Sequence, residues 1–250
     1  MQVVCPNKKK YTSLIPTIYS KETPVTQAPI RIIHIGQDVP YEDVVQMQED
    51  AVQNVINGGE EVIFFVEHTP VYTAGTSFEQ SAVGAIGDIP LIHTGRGGNV
   101  TYHGPGQRVI YPILDLKKRG RDIRAYVCML QKWMVDVLNE YDIPTDICDE
   151  IGVWVPMPKQ SEKAQKTPLL LQQKTPQVGK IAAIGVRVRK WVTFHGIALN
   201  VDPIMEHFTR ITPCGITDKG VCSIKNFAPD VTMEEVDGKL KRHMMTHLGL

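Results

Sequence analysis

Residues 30–36 read IRIIHIG, apolar side chains crowded around single polar positions, and this pattern predicts a strand. Asp38 and Pro40 then supply a helix start. Val44, Val45, Met47, Ala51, Val52, Val55 and Ile56 recur at helical spacing until Asn57-Gly58-Gly59 ends the run. Residues 61–67 (EVIFFVE) form the continuous apolar run of a buried strand, and Pro70 opens a turn-rich connection. Residues 108–116 (RVIYPILDL) predict a further strand, in which Pro112, lacking an N–H, points to an edge or a bulge. The clearest helix covers residues 122–141, where Ile123, Tyr126, Val127, Leu130, Trp133, Met134, Val137 and Leu138 make one stripe suited to a core. A short strand at 152–155 follows. Residues 179–189 and 191–201 read as two strands joined by a tight turn, with Ile184, Val186 and Val188 inward and Arg187 and Arg189 outward. Thr232 with Glu235 forms a capping box for a final helix to about His247.

Helices set against a mixed group of at least six strands predict an α+β fold, a mixed β-sheet with flanking helices, and not a βαβ array. Residues 30–250 are read as one domain. Residues 1–29, with Lys8-Lys9-Lys10 and little periodicity, read as a flexible arm; they lack both the apolar core of a signal peptide and the arginines of a transit sequence. Residues 157–177 (MPKQSEKAQKTPLLLQQKTPQ) read as a mobile hairpin insertion.

Charge and cysteine content narrow the function classes. Lys plus Arg and Asp plus Glu each number 27, so the net charge is zero and the general nucleic-acid footprint of excess basic residues is lacking. No apolar run reaches the length of a membrane span. The 5 cysteines are odd in number and show no C-x-x-C spacing, which argues against a disulfide scaffold or a tetrathiolate zinc site and favours a reduced, cytoplasmic setting. His34, His68, His93 and His103 lack the spacing of zinc ligands, so no metal is expected.

Two stretches carry candidate chemistry. Residues 96–107 (RGGNVTYHGPGQ) combine backbone freedom with Arg96 and His103, the makeup of a ligand-binding loop or of a structural turn. The third glycine of a dinucleotide fingerprint is absent, and a phosphate-binding G-x-x-x-x-G-K-[ST] occurs nowhere. Residues 212–216 (TPCGI) mount Cys214 between proline and glycine, a setting suited to a nucleophilic thiol with an oxyanion donor beside it. His195, just before Gly196, is either a satisfied core histidine or a direct participant.

RGGNVTYHGPGQRVIYPILDL, GKIAAIGVRVRKWVTFHGIALNV and TPCGI together resemble the lipoyl(octanoyl) transferases of lipoate biosynthesis, in that family's order, and the resemblance spans about residues 30–224. It implies a fold similar to the catalytic domains of lipoate and biotin protein ligases. It makes Cys214 the acyl-accepting cysteine and Lys180 the lysine that lowers its pKa. The loop Arg96-Gly97-Gly98-Asn99-Val100-Thr101-Tyr102-His103 would line the acyl substrate, together with Ala183-Ile184-Gly185 and Gly196-Ile197-Ala198; Asn99 stands where glutamine is common in the family. The implied reaction moves an octanoyl group from acyl carrier protein to a lysine of a lipoyl domain through a Cys214 thioester, with no ATP, metal or other cofactor. The implied acceptors are the apo lipoyl domains of 2-oxoacid dehydrogenase E2 subunits and the glycine cleavage H protein. The alternatives are an ATP-dependent lipoate or biotin ligase of the same fold and an inactive module that binds lipoyl domains. The N–H of Cys214, of Gly215 or of a glycine in 96–98 would serve a developing oxyanion. Lys117, Lys118, Arg119, Arg121 and Arg124 are read either as a docking face for an acidic carrier or as a solvated loop and helix start.

Overall fold

The computed structural model describes residues 30–84, 86–145, 151–157, 177–211 and 219–248. Its main sheet has 7 strands in the order β1-β2-β6-β9-β8-β10, with β7 pairing the free side of β8. In chain order these are β1 (Arg31–Val39), β2 (Val62–His68), β6 (Gln107–Ile113), β7 (Val153–Pro156), β8 (Val178–Arg189), β9 (Val192–Asn200) and β10 (Gly220–Val221). A second sheet has 3 short strands, β3 (Val71–Ala74), β4 (Leu91–His93) and β5 (Val100–His103), in the order β4-β3-β5. The helices are α1 (Tyr41–Ile56), α2 (Ile123–Asn139) and α3 (Met233–Leu248). The architecture is the expected α+β fold, with one difference: β1 and β2 run parallel on either side of α1 in the chain, so a single βαβ unit is present.

Strand periodicity divides the helices between the two faces of the main sheet. On β2, Ile63 and Phe65 join the core built by α2 and α3, whereas Val62, Phe64 and Val66 join the core under α1. Successive side chains of a strand point to opposite faces, so α1 covers one face and the α2–α3 pair the other. Trp133 of α2 is fully buried and its indole N–H donates to Leu240 O of α3 at 2.9 Å, joining the two helices. Asp122 caps α2, accepting from the N–H groups of Arg124 and Ala125. Ile123, expected in the buried stripe, is instead 38% exposed; the capping turn carries it outward and the stripe begins at Tyr126. Thr232 Oγ1 accepts from Glu235 N–H at 3.2 Å, as the start of α3 requires.

Pro112 lies in an inner strand, contrary to the edge expectation, but the predicted irregularity is present. Pro112 pairs with Ile63 of β2, while the ladder with β9 stops at Ile110. Having no N–H for β9, it faces a kink there: His195 has φ of 57°. Thr193 Oγ1 repairs the break, donating to Pro112 O at 2.7 Å and accepting from Leu114 N–H at 3.0 Å. The β8–β9 turn is the tight one expected. Arg189 pairs with Val192, and the residues between them, Lys190 and Trp191, both have positive φ, as a two-residue hairpin matched to strand twist demands.

The small sheet is a correction to the sequence reading, which gave a turn-rich connection after Pro70 and a loop through residue 103. Its strands of 4, 3 and 4 residues enclose their own core of Tyr72, Ala82, Val100, Tyr102, Phe208 and Ile211. The arm 1–29 and most of the 157–177 insertion lie outside the described residues; the ends of the insertion are joined by the Met157 N–H to Gln177 O bond at 2.9 Å. Cys128 is disulfide-bonded, which departs from the expectation of reduced thiols, whereas Cys222 is free.

Candidate active site

The glycine-rich window is clamped between the two sheets. Arg96 is 8% exposed; its Nη2 donates to Thr73 O at 2.6 Å and to Thr73 Oγ1 at 2.9 Å on β3. On the other side Gly97 N–H donates to Val186 O of β8 at 3.2 Å. A side chain is excluded at one contact and crowded at another. A Cβ on Gly75 would lie 2.1 Å from Gly98 O, and one on Gly185 would lie 3.0 Å from Gly97 O and 3.2 Å from Arg96 Cδ. Glycine here serves close approach of backbone to backbone. The Gly97 N–H is engaged by Val186, so this glycine is not an oxyanion donor in this arrangement.

Beyond the loop, β5 sends alternate side chains in opposite directions. Val100 and Tyr102 enter the core of the small sheet, where the Tyr102 ring meets those of Tyr72, His207 and Phe208. Asn99 turns its Oδ1 to the Val100 N–H at 2.8 Å, and Thr101 is half-buried. His103 joins a different group. Its ring lies parallel to Tyr41 of α1 at 6.0 Å and edge-on to His68 of β2 at 6.0 Å. His68 Nδ1 is 3.0 Å from Val39 O and its Nε2 is 2.8 Å from Tyr111 Oη. A carbonyl only accepts, so Nδ1 carries the proton and Nε2 accepts from the tyrosine.

These histidines are neutral at physiological pH. Burial lowers the His68 pKa to about 4. Burial, then the nearby His68 imidazole and the Arg96 guanidinium, lowers that of His103 to about 3. His195 falls to about 4, through burial first and then Arg96 and Arg187. Burial also raises Tyr41 to about 12. The face under α1 therefore holds a cluster of uncharged hydrogen-bonding rings near the guanidinium groups of Arg96 and Arg187.

The other predicted wall residues divide by strand alternation. Ala183 and Ala198 pair across β8 and β9 and belong with the α1 core. Ile184 packs on the α2–α3 core and Ile197 is part of it, so neither faces the loop. A Cβ on Gly196 would lie 2.2 Å from Ile110 O, so the space there is filled by β6. Next to Gly95 a cleft of about 220 Å³ opens, bordered by Tyr41, Gln48, Thr94, Arg187, Phe194 and His195.

Lys180 lies near the start of β8, and its Nζ sits 4.5 Å from the centre of the Trp154 ring of β7. Lys219 Nζ approaches the same indole at 4.7 Å. Cys214 lies outside the described residues. The described residues flanking its segment have defined anchors. Ile211 bridges to Val83 and belongs to the small core, while Val221 pairs with Lys180 and Cys222 N–H donates to Lys180 O at 3.1 Å.

In the basic group read from the sequence, one member is paired and four are exposed. Arg119 forms a bidentate pair with Glu61 at 2.7 and 2.8 Å, leaving Lys117, Lys118, Arg121 and Arg124 exposed. Leu116 N–H donates to Trp191 O, placing this group beside the β8–β9 turn. Lys180 lies near the other end of β8, a separation of about 30 Å at 3.3 Å per strand residue. Among the described residues no three His, Cys, Asp or Glu side chains gather to hold a metal, and no helix is long and apolar enough to cross a membrane.

Sequence reasoning left Tyr41, Tyr111, Gln107 and Asn200 unassigned and considered His68 only as a zinc ligand. One signal marks several of them: a polar residue within or ending a strand that is otherwise buried, as in VIFFVEH, QRVIYPI and VTFHGIALN.

Comparison with known proteins agrees with this geometry. Residues 40–245 match the model of the lipoyl protein ligase A/B catalytic domain. An octanoyltransferase of Rickettsia peacockii is 43% identical over 212 residues, covering 83% of this chain and 94% of that protein. One of Rhizobium etli is 44% identical, covering 84% and 85% respectively. Among solved structures, the bi-partite lipoate protein ligase of Thermoplasma acidophilum superposes with a TM-score of 0.61 at 14% identity, covering 88% of this chain and 84% of that one. A biotin protein ligase of Aquifex aeolicus gives a TM-score of 0.51 at 14% identity, covering 88% and 70%. The chain belongs to the lipoyl protein ligase A/B catalytic-domain family and, within it, to the octanoyltransferases.

Proposed function

We propose that this protein transfers an octanoyl group from the thioester of acyl carrier protein to a lysine of apo lipoyl domains, those of 2-oxoacid dehydrogenase E2 subunits and of the glycine cleavage H protein. The observation that carries the reading is identity of 43–44% over 212 residues to proteins named octanoyltransferase. The clamped loop, and the small side chains of Ala183 and Ala198 under α1, suit an apolar chain, each buried methylene of which contributes about 0.8 kcal/mol.

The Cys214 thiolate attacks the carrier thioester, a new thioester forms on its sulfur as the old C–S bond breaks, and the carrier leaves as a thiolate that takes the proton of the Lys180 ammonium, leaving that amine neutral. A free thiol has a pKa of about 8.5 and is only a few per cent ionised at neutral pH. An ammonium at Lys180 facing that sulfur favours the thiolate, and each unit by which the pKa falls corresponds to about 1.4 kcal/mol. The amine of the lipoyl-domain lysine then attacks the acyl-enzyme. The C–N bond forms, the C–S bond breaks, and the proton lost from nitrogen passes to the departing thiolate or to neutral Lys180. The first exchange is nearly balanced in energy and the second, thioester to amide, runs downhill, so neither step calls for ATP or a metal. Attack by a thiolate requires a reduced Cys214, and we place the protein in the cytoplasm, where thiols are kept reduced, the Cys128 disulfide being an exception to that setting.

The test is incubation with octanoyl carrier protein and apo lipoyl domain without ATP. Octanoylated domain is the expected product. Strict dependence on ATP would instead assign the chain the ligase chemistry of its structural neighbours, and binding of the domain without turnover would make it a recognition module.

A further inference from the structure

A chain of buried amide hydrogen bonds runs from β5 through β6 and β9 to β10, and its direction is fixed by backbone carbonyls. Cys222 O accepts from Asn200 Nδ2 at 3.0 Å. Asn200 therefore turns Oδ1 to Gln107 Nε2 at 2.9 Å. Gln107 Nε2 also donates to Tyr102 O at 3.2 Å, which leaves Gln107 Oε1 as the atom 2.7 Å from His103 Nδ1. Turning over Asn200 would set its oxygen against Cys222 O, and turning over Gln107 would set its oxygen against Tyr102 O. Both reversals oppose two acceptors in the interior, a costly arrangement. Gln107 is 1% exposed and Asn200 4%, so water offers no alternative partner to either side chain. With an oxygen facing it, His103 Nδ1 must carry the proton, and Nε2 keeps its lone pair.

We infer that Gln107 and Asn200 are positioning residues that hold His103 in the Nδ1–H tautomer, so that the wall of the site presents an acceptor nitrogen at Nε2 to an entering N–H donor. The same device joins His103 to the strand that carries Lys180, because Cys222 accepts from Asn200 through its C=O and donates to Lys180 O through its N–H. In the proposed transfer the donor is the primary amine of the acceptor lysine, one N–H of which would rest on Nε2. Tyr41 from α1, His68 from β2, Arg96 from the loop and His195 from β9 face the ring or act on its charge. His103 is held neutral among them and accepts a hydrogen bond without taking the proton. The assignment of the amine rests on the octanoyl-transfer reading; the assignment of the tautomer does not.

The experiment is nitrogen NMR of the full chain labelled in its histidine rings, with His103 assigned by the signals lost in His103→Asn. Wild type is expected to show His103 with a protonated Nδ1 and an unprotonated Nε2, unchanged between about pH 5 and 8. An Nε2–H tautomer, or averaged signals from two tautomers, would overturn the inference. In Gln107→Glu the carboxylate keeps an oxygen toward Nδ1 but opposes Tyr102 O and Asn200 Oδ1. His103 is then expected to begin titrating within that range, and kcat to fall by about tenfold or more at nearly constant KM for the octanoyl donor. Asn200→Leu is expected to give averaged signals, because Gln107 Nε2 then loses the Oδ1 acceptor that fixes its orientation. Unchanged His103 signals in both variants, each with a wild-type melting transition, would refute the positioning role. Should either variant fail to fold, the wild-type spectrum decides alone. The stated tautomer in a protein without transfer activity would sink the octanoyl reading and leave the positioning role standing.

Discussion

The two faces of the main sheet are built from the same strands and carry different burdens. Under α2 and α3 the packing is dominated by large apolar side chains, among them Trp133, Leu130, Met134, Ile63 and Phe65, with Arg108 held by both oxygens of Asp237 at its margin. Under α1 the apolar residues Val44, Val52, Phe64 and Val109 give way to Tyr41, His68, His103 and His195, with Arg96 clamped nearby. One face settles whether the chain folds; the other places neutral polar rings beside a loop that has almost no side-chain bulk. Period-two alternation lets the same strands do both, because neighbouring residues look in opposite directions.

Substitutions on each face should therefore separate stability from activity. The largest stability effect belongs to Trp133→Ala, which opens a cavity and removes the indole donor to Leu240 O. We expect a loss of about 3–5 kcal/mol in chemical denaturation, with turnover per folded molecule unchanged. Equal losses of turnover and stability would erase the distinction between the faces. Arg96→Met should reverse the pattern. Thr73 O and Gly97 O lose their donor, at a cost of about 1–3 kcal/mol, while transfer falls by about a hundredfold because the loop wall is no longer held. Steady-state kinetics beside a melting curve checks this, and wild-type kcat in a folded variant would contradict it.

Acid should act through the α1 face. His68, His103 and His195 have folded pKa values of about 4, 3 and 4, below the unfolded value near 6.5. Between pH 6.5 and 4 the unfolded chain binds more protons, so stability falls as pH drops through that window and is insensitive to these groups above it. Denaturation at stepped pH measures the slope, and His195→Phe should flatten it. A smaller effect is expected from Trp154→Leu. Losing the ring from beneath Lys180 removes about 0.5–2 kcal/mol of cation–π attraction and should lower kcat for transfer severalfold in steady-state kinetics. The smallest is Thr232→Ala, about 1 kcal/mol of stability for one lost helix cap and no change in transfer.

How much of this was legible in the sequence depends on the range over which each signal is written. α2 and β2 were readable because their burial repeats over 17 and 7 residues. The β8–β9 hairpin was readable from its alternation. The small sheet was not: strands of 3 and 4 residues are too short to show a period, and glycine or proline flanks each of them. Pro112 misled about strand order because the compensation, Thr193 Oγ1 and the kink at His195, comes from a strand 80 residues away in sequence. At the site, Arg96 and His103 were readable as members of one motif and Lys180 as a member of another, while Ala183 and Ala198 pair with each other and pack in the core under α1. Val100, Tyr102, Ile184 and Ile197 shared those motifs but face other cores, since a contiguous motif on a strand belongs half to each side. Gln107 sat inside the quoted window with no role, because its meaning lies in Asn200, distant in sequence and adjacent across the β6–β9 ladder.

The most direct test of the central claim is the intact mass of the protein after mixing with octanoyl carrier protein in the absence of lipoyl domain and ATP. A mass increase of one octanoyl group, mapped to Cys214, absent in Cys214→Ser and formed more slowly in Lys180→Met, is the predicted result. Octanoylation of lipoyl domain by Cys214→Ser at the wild-type rate, with no acylated enzyme at any time, would contradict it.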